Sequence, residues 1–141
     1  MAKTKLITVA EIEYVAHRMA KGFMEWDEPI PDFGTRFPNI LESCLKQPFV
    51  TFGNKNLYVG LTGKGAILFY LMIKNHPFEN GNKRIAITTL LYLLFKNGKW
   101  LELSNEALYT FARDIAKSSP KEKDKIIKQT ERFIKAHLVF T

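Results

Sequence analysis

Six side chains able to bind anions, ligate a metal or take a proton fall within nine consecutive residues, His76-Pro77-Phe78-Glu79-Asn80-Gly81-Asn82-Lys83-Arg84. His76 is a proton acceptor suited to neutral pH. Glu79 and Asn80 carry oxygens that a hard cation accepts as ligands. Asn82, Lys83 and Arg84 are hydrogen-bonding or cationic groups of the kind that hold phosphate oxygens. Gly81 permits a positive φ, so consecutive backbone N–H groups can turn toward one point. A helix opening near Lys83 would aim its unpaired amides and positive dipole end at the same place. A phosphate seat with a base beside it is the chemistry of phosphoryl transfer, which needs a proton acceptor and positive groups around the non-reacting oxygens. Phe78 is expected to anchor this nucleotide-binding loop in the core and so to contribute by positioning.

Apolar, helix-prone sequence flanks the stretch, residues 66–73 before it and 85–95 after it, while Pro77 and Gly81 punctuate it. It therefore reads as a loop between two buried helices. The second of these is apolar on nearly all sides, which marks a central helix, and Asn97-Gly98 stops it. Upstream, Thr8 and Glu11 form a capping box that opens a helix to about residue 21, with Ile12, Val15, Ala16 and Met19 inward. His17 on that helix reads as a surface or satisfied histidine. An irregular connection over 25–34 precedes a short helix over about 37–46, in which Glu42 is either a site residue or an ordinary polar one. Two β-prone runs separated by Gly53-Asn54-Lys55 predict a hairpin or flap over 49–59. Thr62 is expected to cap a helix over about 63–75 that delivers the chain to His76. An extended link over 100–103, a helix from Ser104 to about 117, and a helix opened by a Ser119–Glu122 capping box to about 136 complete the pattern. His137 near that last terminus suits the helix dipole.

The motif resembles the signature of the Fic/Doc superfamily, His-Pro-Phe-x-(Asp/Glu)-Gly-Asn-(Gly/Lys)-Arg. Lys83 stands at the eighth position, where the death-on-curing (Doc) branch has lysine and the adenylyl-transferring Fic branch has glycine. A second Fic arginine would fall where this chain has Ile87. Both features are similar to Doc. The resemblance implies an all-α, compact helical bundle of about six helices, with a flap near 49–59 that aligns a target protein's segment by strand addition. It also implies ATP and Mg²⁺ as cofactors. The roles it gives are His76 as base, Lys83 and Arg84 as catalytic charge neutralisers, Phe78, Gly81, Asn82, Lys83 and Arg84 as the nucleotide site, and Asn80 at the metal position. Where the pattern has a carboxylate, Asn80 offers a neutral amide, a weaker ligand for Mg²⁺.

Doc toxins move the γ-phosphoryl group of ATP to a threonine of elongation factor Tu and arrest translation. The resemblance thus implies the toxin of a toxin–antitoxin pair, with a separate antitoxin as inhibitor, nucleic acid met only through that antitoxin, and a translation factor as substrate. A Ser/Thr-x-x-x-Glu-(Gly/Asn) inhibitory segment of the type some Fic proteins turn on themselves is not found in the chain. Two other readings stay open: adenylyl transfer by the same site, and a weak or inactive nucleotide-binding or basic nucleic-acid-binding module.

Composition is compatible with this. A chain of 141 residues suits one domain over 1–141 and buries roughly 70% of its unfolded surface. No apolar run reaches the roughly 20 residues of a membrane span, and no leader pattern follows Met1, so a cytoplasmic protein is expected. Cys44 is the lone cysteine, which excludes an internal disulfide and suits an apolar core position. The 21 basic residues against 14 acidic ones give +7, thickening at 117–135 without the interleaved aromatics of a single-strand stacking platform.

Overall fold

The computed structural model describes residues 3–141. Six helices and two short antiparallel strand pairs surround the two apolar helices that flank the motif, an all-α architecture. Helix α1 (residues 9–21) opens on the expected box, with the Thr8 hydroxyl accepting from the Glu11 amide and the Glu11 carboxylate accepting from the Thr8 amide. Its middle, Ile12–Ala16, is wound as a π-helix. The wider turn rotates the face that meets the core. Ile12 and Ala16 are buried as expected and are joined by His17 and Ala20, while Met19, expected inward, is 40% exposed.

Helix α2 (Pro38–Lys46) begins at a proline and buries Leu41, Cys44 and Leu45. Burial pushes the Cys44 thiol up to about 12, which fits a packed apolar role. Strands β1 (Thr51–Phe52) and β2 (Lys55–Asn56) form the expected hairpin, pairing Thr51 with Asn56 and Phe52 with Lys55. Gly53 and Asn54 both have positive φ, 58° and 67°, the geometry of a two-residue turn matched to strand twist.

Helix α3 (Gly60–Lys74) starts earlier than expected. Val59 occupies the cap without a side-chain bond, and the Thr62 hydroxyl donates instead to Glu131 Oε2 at 3.4 Å. Helix α4 (Asn82–Lys96) packs against α3, and between them they bury Ile67, Phe69, Met72, Ile85, Ile87, Leu90, Leu93 and Leu94. Each such side chain contributes about 1.5–3 kcal/mol. Helices α5 (Asn105–Lys117) and α6 (Lys123–His137) close the outside; Ser104 caps the first, as expected. Before α6, Ser119 caps a single 3₁₀ turn, Pro120–Glu122, through the Lys121 amide, and its box with Glu122 does not close. The extended link is strand β3 (Lys99–Leu101), which pairs antiparallel with β4 (Leu138–Phe140). No helix among the described residues is long and apolar enough to cross a membrane.

Candidate functional site

Pro77 has no amide to continue α3, so the helix ends at Lys74 and the chain leaves it through Asn75 and His76. His76 is exposed and sits at φ +50°, a left-handed conformation costing a β-carbon residue about 1–2 kcal/mol. Two features hold it there. Pro77 is buried and its carbonyl accepts the Phe37 amide at 2.9 Å, tying the loop to the start of α2. Phe78, only 1% exposed, packs against His17 and Phe33 with ring centroids 5.8 and 5.9 Å away. The anchoring role expected of Phe78 is the position it occupies.

Asn82 lies inside the loop rather than facing outward. Its Oδ1 accepts the Phe78 amide at 3.0 Å, and its Nδ2 donates to the Phe78 carbonyl at 2.8 Å. The same Nδ2 is 3.4 Å from His76 Nδ1. The carboxamide thus closes the turn and touches the base, leaving the Asn82 backbone amide as its group at the helix start. Gly81 is the N-cap of α4 at φ 71°, ψ 16°, with no side chain capping the helix. The first-turn amides therefore lack an intrahelical acceptor and a side-chain substitute, which suits an anion. A β-carbon at Gly81 would lie 2.6 Å from Ile30 Cδ1 and 3.3 Å from the Pro29 carbonyl. Residues 29–30 cross directly over this turn.

Lys83 is partly buried, with Nζ 3.9 Å from Glu28 Oε1 and 6.0 Å from the centre of the Tyr109 ring. The Tyr109 hydroxyl donates to Asp27 Oδ1 at 2.9 Å; burial, with that bond, pushes it up to about 12. Glu79 and Asn80 are both exposed at the outer edge of the loop.

Arg84 departs from the expected arrangement. It is 2% exposed and donates to four backbone carbonyls: Nε to Phe23, one terminal nitrogen to Glu28, the other to Ala20 and Lys21, at 2.6 to 3.4 Å. Those carbonyls belong to the end of α1 and the segment after it, so the guanidinium caps a helix C-terminus. In this position Arg84 is a positioning residue for the segment that crosses Gly81, and Lys83 is the motif's cation on the outer side.

The remaining candidates fall elsewhere. His17 is a satisfied core histidine, bonded through Nε2 to the Pro31 carbonyl at 2.8 Å, and burial lowers its pKa. His137 Nδ1 bonds the Phe133 carbonyl at 2.9 Å. Glu42 lines a hollow of about 370 Å³ with Leu6, Val9, Leu45 and Phe49, which none of residues 76–84 borders. Residues 27–31, which cover the motif, were legible only as an irregular connection; nothing local marks Glu28 or Ile30 as neighbours of Lys83 and Gly81.

Among the described residues no three His, Cys, Asp or Glu side chains converge to hold a metal ion. Asn80, an exposed amide at the outer edge of the loop, is a neutral ligand that suits a cation arriving with phosphate and water ligands of its own, as Mg²⁺ does. A family model described as Fic/DOC family matches residues 6–94. Neither the comparison with curated proteins nor that with solved structures returned a match.

Proposed function

The chain belongs to the Fic/DOC family, whose members generally transfer nucleotide-derived groups to proteins, and on that footing we propose that it is a Doc-like toxin. In this reading it transfers the γ-phosphoryl group of ATP to a serine or threonine hydroxyl of a translation factor resembling elongation factor Tu. Translation stops, and a separate antitoxin restrains the enzyme. The observation that carries the reading is Lys83 in the first turn of a helix without a side-chain cap, one residue after the buried Asn82 that touches His76. A lysine there crowds the place that glycine leaves for an attacked α-phosphate and puts a positive charge beside the terminal phosphates.

The target hydroxyl oxygen forms a bond to Pγ, the bond from Pγ to the β–γ bridging oxygen breaks, and ADP leaves with that electron pair. His76 takes the hydroxyl proton. The amides of residues 82–84 and the Lys83 ammonium hold the non-reacting oxygens. Asn80 is the residue that would hold Mg²⁺, which would supply charge neutralisation on the phosphates when bound.

ATP labelled separately at the α and γ positions tests the assignment. Label should reach the protein target from the γ position and vanish with His76→Ala, whose melting curve should stay close to that of the parent. Label retained from the α position overturns phosphoryl transfer in favour of adenylyl transfer.

A further inference from the structure

Trp26 is 70% exposed, yet it is not a loose surface side chain. Its indole meets the Tyr109 ring edge-on, with centroids 5.1 Å apart. The Tyr109 hydroxyl is tied in turn to Asp27 Oδ1, and the second Asp27 oxygen is buried with no partner. Taking a carboxylate oxygen out of water without a donor is unfavourable. The turn that carries the indole is held at a further cost. Met24 sits at φ +53°, a left-handed conformation, and its carbonyl accepts the Asp27 amide at 3.0 Å. Arg84 grips both ends of the same turn through the Phe23 and Glu28 carbonyls. Strain gathered under one exposed side chain directs attention to what that side chain meets.

Its neighbourhood is the start of α4. The Lys83 ammonium lies 6.0 Å from the centre of the Tyr109 ring, so indole and ammonium share that ring as a neighbour. Lys83 stands in the first turn of α4, whose amides have no side-chain cap and suit an anion. An anion seat and an open aromatic face thus lie within reach of one nucleotide. Charge fixes which end goes where. Glu25 and Glu28, both exposed, flank the indole in sequence and repel phosphate. The ligand's charged end is left with Lys83 and the helix start, and its uncharged ring with Trp26.

The geometry points to Trp26 as the stacking platform for the base of the nucleotide whose phosphates occupy the start of α4. This rests on the proposed function for the presence of a nucleotide. Stacking uses the face of the base, which every base has, so the platform adds affinity with little choice among bases. Tyr109 and Asp27 are positioning residues that fix the plane of the indole.

Trp26 and Trp100 are the two tryptophans of the chain, so Trp100→Phe leaves Trp26 as the only indole. ATP should quench its fluorescence. Inorganic tripolyphosphate, which has no base, should reverse that quench by competition and cause none by itself. In calorimetry, Trp26→Ala should weaken ATP binding roughly tenfold and leave tripolyphosphate unchanged. Trp26→Phe should recover most of the loss, and GTP should bind the parent within about threefold of ATP. Each variant should melt close to the parent, because the indole is exposed. Equal losses for ATP and tripolyphosphate, or an unaltered ATP affinity in Trp26→Ala, overturn the platform. An unaltered ATP affinity with a raised KM for the protein target would give the indole to a basic segment of that target instead. If the parent binds neither ATP nor tripolyphosphate, the functional reading fails and the platform with it. If ATP binds through Trp26 and nothing is transferred, that reading fails and the platform stands.

Discussion

Asn82 Nδ2 lies 3.4 Å from His76 Nδ1 and can point no other way, because Phe78 holds both ends of the carboxamide. Reversing the amide would set Oδ1 against the Phe78 carbonyl and Nδ2 against the Phe78 N–H. An N–H facing Nδ1 favours the tautomer whose lone pair is on Nδ1 and whose proton is on Nε2. The contact is long, so exchanging tautomers to free Nε2 as the base costs less than about 1 kcal/mol. We expect ¹⁵N shifts of neutral His76 to show an unprotonated Nδ1, and Asn82→Asp to move the proton there. A protonated Nδ1 in the parent protein would refute the orientation.

Arg84 should matter for stability more than for phosphate binding. Losing a guanidinium from four carbonyls, as in Arg84→Met, should cost about 2–4 kcal/mol. Arg84→Lys should recover less than half of that, since an ammonium cannot reach divergent acceptors at once. Urea melts measure both. A full-strength Arg84→Lys variant, or one that loses only ATP affinity, contradicts the carbonyl cage.

Gly81→Ala meets two separable obstacles. The φ of 71° costs about 1–2 kcal/mol for any β-carbon, and the new methyl would lie 2.6 Å from Ile30 Cδ1. Adding Ile30→Ala should remove the second obstacle and leave the first. The double variant should therefore be more stable than the sum of its parts, a non-additivity that a double-mutant cycle reads. Strict additivity would mean that Ile30 does not rest on the turn.

Glu28 competes with phosphate for Lys83. Its carboxylate is 3.9 Å from Nζ and about half exposed, so the pair is worth under about 1 kcal/mol. Glu28→Gln should tighten ATP binding by up to about fivefold at low salt, with the difference shrinking as salt is added. Weaker binding in the variant would place Lys83 away from the nucleotide.

Local signals in the sequence announced most of the elements. Thr8 with Glu11, Ser104, Gly81 and the Gly53-Asn54 pair carry their structural reason in their own residue types, a capping oxygen or a missing β-carbon, and the boundaries near them were legible. What was not legible depended on distant partners. Leu138–Phe140 is too short to announce a strand and becomes one only against Lys99–Leu101. The inward face of α1 was read with a 3.6-residue period that the π-wound Ile12–Ala16 breaks, hence Met19 outside and His17 inside. In the site, the loop's glycine and buried phenylalanine followed from residue type. The direction of Arg84 did not, because its acceptors are carbonyls 56 to 64 residues earlier, and carbonyls leave no mark in a sequence.

Glu11 ties α1 to α4 and should set the acid limit of the fold. Burial alone would raise its pKa. Hydrogen bonds from the side chains of Lys96 and Tyr92 and from the Thr8 amide outweigh that and hold it at about 2, against an ordinary 4.5. The Lys96 ammonium is 2.7 Å away and the Tyr92 hydroxyl 2.6 Å. A folded-state pKa below the unfolded one means that the carboxylate's contribution is complete above about 4.5 and is lost as the pH falls toward 2. The contribution at neutral pH is on the order of 1–3 kcal/mol. Glu11→Gln should remove it, flatten the decline of stability over that acid window, and leave parent and variant nearly equal at its lower end. Tyr92→Phe should produce a smaller loss of the same shape. Thermal melts from pH 7 to pH 2 would show this, and a parent protein whose stability is level across the window would exclude Glu11 as the group responsible.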